Sequence, residues 1–590
     1  MAELITTEGW LTTLKSRYLE STSSLENINF LAIFESLTTF YQQKLETEQL
    51  FETNRRKHFG IYYTPYFIAK KISENTLAGL FDKECFMTAK FLEPCVGGGI
   101  FIIAYIDSIL ERFPTLENDE LQKIIDNIYA ADIDHDAIKI FQQFFPLYIQ
   151  SRYGKIINLK ESNFYVGDLL FKTNGEYIEK NDPKKIFDIK NGFDIIMTNP
   201  PYKLLKANSN KYGENNPYAK EVKNLIGFIK NNKIYKFNSG TLNLYRLFVE
   251  EIFENYSSSN SKIGLLIPQT FLNDKQSENL RKRIFSHSKI SQIYVLDEKN
   301  TFFPDITQSF CFFSAFKDGK TSKIFLQPSI KNESDIDARN IEIKFQLIEN
   351  LSESLPIIYE ESLGWDIIKK IQKHKKIKEL QCIINARGEL DLSINKNSIS
   401  ESKTSYPLLR GANIKDFFVT KNDQYVNENF LECINGKQEY VKKERIICQQ
   451  ISNMNSFKRL KFAKIQHDMI LGNSCNFIAI KNTLIQSPIS LNYLLGILNS
   501  YLLDWRFKIT SSNNHINNYE LAELPIPMPN NEQLARIEVV VEKILIEGCK
   551  KELQIELNKE VYAIYGLDQQ EIDYINKKYT KGYIIMLHIH

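Results

Sequence analysis

Short apolar runs alternate with longer helix-like segments between residue 60 and about residue 320 of this 590-residue chain. The segments between the runs carry apolar residues at the three- and four-residue spacing of amphipathic helices. Such alternation is typical of a doubly wound α/β sheet, in which helices cover both faces. We therefore predict one α/β domain over residues 59–320. Its candidate strands are Lys90–Leu92, Ile128–Ala131, Ile195–Met197, Ile263–Ile267, Ile293–Val295 and Phe310–Phe316.

The rest of the chain divides into four further regions. Residues 1–58 and residues 531–590 carry the apolar spacing of helices. Residues 381–530 combine short strand-like runs with polar loops, which predicts a separate α+β domain. Residues 321–380 form a connector with mixed strand and helix signals. Inside the α/β domain, residues 203–238 are a polar insertion with eight lysines and two glutamates.

Composition excludes some classes of protein. Hydrophobic content of 43% and charged content of 25% are ordinary for a folded domain, and the net charge of +2 means that any nucleic-acid surface must come from local clustering. Eight scattered cysteines without a CxxC pair argue against a zinc module or a disulfide framework, and we expect no metal site. No segment has the length and apolarity of a membrane span, so we expect a cytoplasmic protein with no membrane partner.

The tetrapeptide Asn199-Pro200-Pro201-Tyr202 follows directly after the apolar run of residues 193–198. Asn199 offers a side-chain carbonyl oxygen, and Pro200 offers a backbone carbonyl without a neighbouring N–H. Two acceptors aimed at one point suit an exocyclic amino group, and Tyr202 adds a flat ring on which a base can stack. By itself the tetrapeptide is equally typical of a proline-terminated strand followed by a turn with a buried tyrosine.

Three other predicted strands also end in polar or glycine-rich residues. The first is followed by a turn with the sequence Glu93-Pro94-Cys95-Val96-Gly97-Gly98-Gly99, whose glycines allow a ligand to approach the main chain. Asp132 ends the second strand, where a carboxylate can accept both ribose hydroxyls of a nucleoside cofactor. The segment Val166-Gly167-Asp168-Leu169-Leu170 places another carboxylate, that of Asp168, at the end of a further strand, where it suits an adenine amino group. Four such strand ends in order predict a cofactor pocket.

This series of motifs resembles the gamma class of S-adenosylmethionine-dependent DNA amino-methyltransferases, which includes the Taq-type adenine methyltransferase. The segment 60–65 (GIYYTP) matches the motif that this class places ahead of the glycine turn. The resemblance implies a Rossmann-like methyltransferase sheet and S-adenosyl-L-methionine as the cofactor. By this resemblance, Thr64 would hold the methionine carboxylate, and Glu93 would lie near the methionine amino group. The implied cofactor-binding set is Tyr63, Thr64, Glu93, Pro94, Gly97, Gly99, Asp132, Ile133, Asp168 and Leu169.

The same resemblance implies the residues that act on the target base. Asn199, Pro200, Pro201 and Tyr202 would form the catalytic corner. Tyr202 and Phe303 would stack on the two faces of a flipped base, with Phe302 as the alternative to Phe303. Methyl transfer from a sulfonium needs no metal.

Residues 406–414 and 498–529 resemble the opening and the close of target-recognition domains, which assigns this role to residues 381–530. Double-stranded DNA is therefore the expected partner, together with a cognate restriction endonuclease. Basic residues near the corner and in the C-terminal domain are candidates for phosphate contacts. They are Lys203, Lys206, Lys211, Arg410, Lys458 and Arg459.

Together these features predict a site-specific DNA adenine-N6 methyltransferase of a restriction-modification or defence system, which flips its target base and holds duplex DNA between its catalytic and recognition domains. Three alternatives stay open. The chain could be a fusion with a nuclease, although only about 59 residues precede the first motif, or a non-catalytic DNA-binding subunit. The target could be the amino group of cytosine, although asparagine at position 199 favours adenine. Pro94-Cys95 resembles the nucleophile dipeptide of carbon-5 cytosine methyltransferases, but its place in the glycine turn favours packing.

Overall fold

The computed structural model describes residues 49–50, 53–54, 64–174, 177–207, 217–298, 300–303, 309–421, 423–434, 436–481, 489–511 and 514–586. The chain forms two compact units, residues 1–345 and residues 346–590. The predicted N-terminal helical region lies outside the described residues except for two short strands. These are β1 (Gln49–Leu50) and β2 (Thr53–Asn54), which pair antiparallel.

A nine-stranded mixed sheet forms the centre of the first unit. Its strands are β3 (Phe91–Glu93), β4 (Ile128–Asp132), β5 (Phe164–Val166), β8 (Phe193–Thr198), β9 (Ser257–Pro268), β10 (Ser288–Leu296), β11 (Phe310–Lys317), β12 (Lys323–Ile330) and β13 (Ile341–Lys344). The spatial order is β13-β12-β10-β11-β9-β8-β3-β4-β5. Between β5 and β8, the strands β6 (Phe171–Asn174) and β7 (Tyr177–Lys180) form a separate antiparallel pair.

The predicted doubly wound α/β sheet is confirmed. Strands β5, β4, β3, β8 and β9 are parallel neighbours, and all six predicted strands lie in the sheet. Four keep their expected bounds within two residues, whereas β9 and β10 begin six and five residues earlier than expected. The chain order reverses between β3 and β8, since β4 and β5 lie on one side of β3 and β8 lies on the other. Open α/β sheets bind ligands at such a switch point, beyond the carboxyl ends of the strands.

The sheet extends further along the chain than the predicted α/β domain. Strands β12 and β13 come from residues 321–345, which the sequence pattern had placed in a connector. β12 pairs parallel with β10, and β13 pairs antiparallel with β12. Their inward residues Ile324, Leu326 and Ile343 are buried, so these strands complete the apolar layer at that edge of the sheet.

Helices cover the sheet of the first unit on both faces. They are α1 (Tyr66–Thr76), α2 (Lys83–Thr88), α3 (Ile100–Arg112), α4 (Asn118–Ile125), α5 (His135–Tyr153), α6 (Pro183–Ile186), α7 (Pro217–Asn231), α8 (Leu244–Glu251) and α9 (Glu278–His287). Helix α1 packs closely on β9 at Gly264, where a Cβ atom would lie 2.5 Å from Thr76 Oγ1. This close approach holds the carboxyl-terminal end of α1 against β9.

The second unit contains two four-stranded sheets and a group of C-terminal helices. Its strands are β14 (Lys375–Lys376), β15 (Ile383–Arg387), β16 (Ile399–Ser400), β17 (Tyr406–Leu409), β18 (Tyr425–Val426), β19 (Arg445–Gln449), β20 (Phe462–Ile465), β21 (Ile470–Leu471), β22 (Cys475–Ile480) and β23 (Pro525–Ile526). The sheets have the orders β15-β22-β19-β20 and β16-β18-β17-β21, and each has its own buried apolar cluster. This arrangement confirms the separate C-terminal α+β domain.

The helices of this part of the chain lie mainly near its end. Helix α10 (Phe345–Leu351) begins at the last residue of the first unit. The others are α11 (Ser362–Ile371), α12 (Phe430–Cys433), α13 (Gln438–Val441), α14 (Leu491–Leu498), α15 (Tyr501–Lys508), α16 (Asn518–Leu521), α17 (Asn531–Glu547), α18 (Lys551–Tyr565) and α19 (Gln569–Met586). Among the described residues, none of the helices combines the length and the apolarity that a bilayer crossing requires.

Candidate functional site

The glycine-rich turn after β3 is shaped by two glycines in the left-handed region. Gly97 has φ +48° and Gly99 has φ +82°. A Cβ atom at Gly99 would lie 2.0 Å from the Phe141 ring, so a side chain there would have to displace that ring. The backbone N–H of Gly97 donates to Asp132 Oδ2 at 2.8 Å, which ties the turn to the end of β4. The turn is therefore a fixed main-chain surface that a ligand can approach.

Glu93 lies at the end of β3, directly before this turn. Its side chain is 1% exposed, and its Oε2 has no hydrogen-bond partner within the described part of the chain. Burial and the neighbouring Asp132 raise the pKa of Glu93 well above its usual value. A buried carboxylate oxygen without a partner is costly unless a ligand supplies a donor. Glu93 thus has the environment expected for a residue that binds a cationic amino group.

Asp132 is the last residue of β4, and Asp168 lies just beyond the end of β5, as expected. Asp132 accepts hydrogen bonds from the backbone N–H groups of Gly97 and Asp134. Asp168 Oδ1 accepts one from Leu170 at 2.7 Å. Burial raises the pKa of each carboxyl to about 6, partly offset by these backbone donors.

An apolar surface lies beside the two carboxylates. Ile133 is 46% exposed although it directly follows a buried strand, whereas Leu169 is buried. An exposed isoleucine next to a carboxylate that can accept hydroxyl donors suits a nucleoside, which has a flat ring joined to a ribose. Tyr63, which belongs to the predicted cofactor set, lies outside the described residues.

The catalytic corner lies at the end of β8, beside β3. Asn199 Nδ2 donates to Thr64 Oγ1 at 3.0 Å. On its other side, Asn199 Oδ1 accepts a hydrogen bond from the Tyr202 hydroxyl, which also lies 3.0 Å from the carbonyl oxygen of Leu266. The sequence did not predict these contacts. They join a residue of the expected cofactor site to the residue expected to hold the target amino group.

Aromatic side chains surround the Tyr202 ring. Its centroid lies 5.3 Å from that of Phe310 and 6.2 Å from that of Tyr245. Phe303, the predicted second stacking residue, is 5% exposed and packs on Phe310 at 4.8 Å. Phe302 stacks on Phe67 at 6.1 Å. Stacking of Phe303 on a base stays a prediction, and it would require this side chain to move.

Lys203 follows Tyr202 directly and is partly buried. Burial lowers its pKa to about 8, which Glu221 and Asp168 partly oppose. Its backbone oxygen accepts a hydrogen bond from Leu244 at 2.9 Å, which fixes the chain after the corner. Tyr245 and Lys203 are thus further residues of the site environment. Lys203 follows the corner in the sequence, whereas tertiary packing brings Tyr245 to it.

Exposed lysines follow the corner on the same unit. Lys206 is exposed, and on α7 the exposed residues Lys220, Lys223 and Lys230 lie on one face of the helix. Lys233 and Lys236 are exposed in the segment after α7. These residues form a basic surface, which we call the α7 surface. Lys211, another candidate, lies outside the described residues.

The three basic candidates in the second unit lie in less accessible positions. Lys458 is 6% exposed and donates to Asp416 Oδ1 at 2.5 Å. Arg459 is 1% exposed, and its guanidinium lies over the Phe507 ring. Arg410 is partly buried, next to a turn at Gly411. Their burial gives no support to a DNA contact, which stays a prediction for all three.

The chain was compared with known proteins. Residues 126–303 match the family described as Eco57I restriction-modification methylase, and residues 406–526 match the TaqI-like C-terminal specificity domain. No curated protein sequence matches the chain.

Two solved structures of restriction-modification enzymes match the chain. The ATP-dependent Type ISP enzyme LlaBIII bound to DNA matches with 13% identity and a TM-score of 0.50, over 91% of this chain and 42% of that chain. The Type IIL enzyme MmeI in complex with DNA matches with 13% identity and a TM-score of 0.46, over 95% of this chain and 82% of that one. This chain thus spans less than half the length of LlaBIII.

The matched segments agree with the architecture. The methylase match includes Asp132, Asp168 and the corner from Asn199 to Tyr202, and the specificity match covers most strands of the second unit. The chain therefore resembles Taq-type restriction-modification methyltransferases, with a match to the Eco57I restriction-modification methylase followed by a match to the TaqI-like C-terminal specificity domain.

Proposed function

We propose that this protein is a site-specific DNA adenine-N6 methyltransferase that uses S-adenosyl-L-methionine and acts on a base flipped out of the duplex. The observation that carries the proposal is the place of Asn199. Its amide lies at the end of β8, beside the glycine turn after β3, at the switch point of the sheet. An amide acceptor next to a cofactor pocket is the arrangement that methylation of an amino nitrogen requires.

The residues around the turn fit S-adenosyl-L-methionine. Glu93 Oε2, which has no partner in the part of the chain that the structure describes, suits the methionine amino group, and the ionised carboxylate of Asp132 suits the ribose hydroxyls. Asp168 suits the adenine amino group, with exposed Ile133 against the ring. When bound, the cofactor supplies an electrophilic methyl group on a sulfonium. Thr64 is placed beside this pocket through its bond to Asn199.

The chain's own residues would act mainly by position. Asn199 Oδ1 has two lone pairs, so it can accept a hydrogen bond from the target amino group in addition to, or in place of, the Tyr202 hydroxyl. The carbonyl of Pro200 would be the second acceptor. Together they would orient the weakly nucleophilic amine toward the methyl group, and such positioning contributes several kcal/mol to catalysis. The Tyr202 ring would stack on the base and offset part of the few kcal/mol that flipping costs.

Several features support double-stranded DNA as the partner. The C-terminal domain belongs to a family of specificity domains, and the LlaBIII and MmeI structures contain DNA. The α7 surface follows the corner along the chain and carries exposed lysines, which is the charge that phosphate groups attract. We propose that these lysines contact the DNA backbone near the target base.

Transfer of tritium from labelled S-adenosyl-L-methionine to DNA tests the proposal. The wild-type protein should label DNA, and Asn199→Ala should lower the rate at least about 100-fold because a preorganised acceptor is lost. Both proteins should bind cofactor and DNA. Asn118→Ala is a matched control, since Asn118 is exposed at the start of α4. Full turnover by Asn199→Ala would refute the role of the corner.

Two other functions are distinguished by separate assays. A nuclease activity would appear as DNA cleavage in the presence of magnesium, with or without cofactor. A non-catalytic DNA-binding subunit would bind DNA but transfer no label under any cofactor concentration. The environment of Glu93 and Asn199 favours catalysis over this second alternative, because the two residues end adjacent strands and Glu93 Oε2 has no hydrogen-bond partner among the described residues.

A further inference from the structure

A chain of polar groups crosses the site from the start of α1 to β9. Thr64 Oγ1 accepts from Asn199 Nδ2 at 3.0 Å, and Asn199 Oδ1 accepts from the Tyr202 hydroxyl. The Tyr202 hydroxyl lies 3.0 Å from the carbonyl oxygen of Leu266 in β9. The Asn199 amide therefore lies between Thr64 on one side and Tyr202 on the other, with its nitrogen toward Thr64.

The orientation of this amide decides whether it can serve methyl transfer. A carboxamide has an acceptor oxygen and a donor NH₂ group, and rotation by half a turn exchanges them. With its oxygen toward Tyr202, Asn199 presents an acceptor on the side where the target amino group would bind. In the reversed orientation it would present donors to a group that is itself a donor, and the hydrogen bond could not form.

Thr64 is held in place by buried contacts around the first turn of α1. It is 8% exposed. Two residues further on, the Tyr66 hydroxyl donates to Asp107 Oδ2 at 2.5 Å, and Tyr148 donates to the same oxygen at 2.6 Å. Asp107 is fully buried in α3, the helix that starts at the glycine turn. The position of the Thr64 hydroxyl is thus fixed relative to the cofactor turn.

We propose that Thr64 is a positioning residue for the target amino group: its hydroxyl oxygen accepts from Asn199 Nδ2 and keeps Asn199 Oδ1 turned toward that group. The inference rests on the proposed methyltransferase function and extends it. The Thr64 hydroxyl has one proton. Because its oxygen accepts from Asn199, this proton points elsewhere and is available for a carboxylate in the cofactor site. Thr64 can therefore act on cofactor and target base together.

Thr64→Val and Thr64→Ser test this role. Valine keeps the branched shape and removes the hydroxyl, whereas serine keeps the hydroxyl. Thr76→Val is the matched control, because Thr76 is also buried, lies at the other end of the same helix, and bonds to Ile72 and Ser314. The target adenine is first located by sequencing DNA that the wild-type protein has modified.

Three quantities are measured for each variant. The first is the single-turnover rate of methyl transfer with cofactor and DNA both saturating. The second is the dissociation constant for S-adenosylhomocysteine. The third is the fluorescence of DNA with 2-aminopurine at the target position. This base reports flipping and stacking but lacks the 6-amino group, so it makes no use of the Asn199 acceptor.

For Thr64→Val we expect a fall of about 10- to 100-fold in the saturated transfer rate, because the amino group is no longer held in line. The 2-aminopurine signal should stay at the wild-type level. Thr64→Ser and Thr76→Val should transfer methyl groups within about threefold of the wild type.

Two outcomes would overturn the inference. One is an unchanged saturated rate with weaker S-adenosylhomocysteine binding, which would make Thr64 a cofactor contact only. The other is loss of the 2-aminopurine signal together with the rate, which would indicate a general structural defect. Absence of methyl transfer by the wild type would be a different result, since it would remove the proposed function itself.

Discussion

Replacement of Tyr202 by phenylalanine and by alanine separates the contributions of its ring and its hydroxyl. The ring is partly buried between Phe310 and Tyr245, and the hydroxyl is bonded to Asn199 Oδ1. In the proposed function, the ring stacks on the flipped base. The hydroxyl occupies an acceptor that the target amino group would use, so its removal should not harm base capture.

The expected magnitudes follow from these two roles. Stacking of a base on an aromatic side chain contributes about 1–3 kcal/mol, so Tyr202→Ala should weaken capture of the flipped base roughly 5- to 150-fold. The net contribution of a hydrogen bond such as that between the Tyr202 hydroxyl and Asn199 is about 0.5–1.5 kcal/mol. Tyr202→Phe frees this acceptor, so the KM for DNA should stay the same or fall by up to about tenfold.

Two assays distinguish the roles. A titration of DNA that carries 2-aminopurine at the target position reports ring stacking, and it should show a normal signal for Tyr202→Phe and a weak one for Tyr202→Ala. The rate of single-turnover methyl transfer to adenine reports the effect of removing the hydroxyl. The reasoning would be refuted by a phenylalanine variant as defective as the alanine variant in fluorescence, or by an alanine variant with normal base capture.

Three further predictions concern other parts of the molecule. Because the pKa values of Asp132 and Asp168 are raised to about 6, both carboxylates take up protons as the pH falls through this value. Calorimetry should therefore show that cofactor affinity falls below about pH 6, with a loss approaching tenfold per pH unit for each group. Burial raises the pKa of the Cys95 thiol, so it should stay protonated, and Cys95→Ala should retain methyl transfer within about threefold. Arg445 and Glu389 form a fully buried ion pair, and Glu389→Gln should lower the free energy of unfolding in urea by about 3–5 kcal/mol, because it leaves Arg445 as an unpaired buried charge.

Much of the sheet could be predicted from the sequence because strand signals are local. The runs at Ile128–Ala131 and Ile195–Met197 are apolar, short and followed by turn residues, and both lie in the observed strands. The polar residues after them also fall at the expected edge, because parallel strands bring their carboxyl ends together. Strands β12 and β13 were not predicted, because the alternating polar residues of this segment gave mixed strand and helix signals.

The contacts inside the site could not be predicted because they depend on tertiary packing. The hydrogen bond between Thr64 and Asn199 joins residues 135 positions apart. Sequence spacing places both near the pocket but gives no distance between their side chains. The burial of Lys458 and Arg459 is a similar case, since long cationic side chains are usually exposed and only the fold supplies Asp416 and Phe507 as neighbours.

Identification of the modified base tests the central claim most directly. DNA from cells that express the wild-type protein, and from cells that express Asn199→Ala, can be digested to nucleosides for mass spectrometry and read by single-molecule sequencing. We expect N6-methyladenine at one defined sequence with the wild type and none above background with Asn199→Ala. Unmodified adenine throughout the DNA, with active protein shown to bind cofactor, would contradict it.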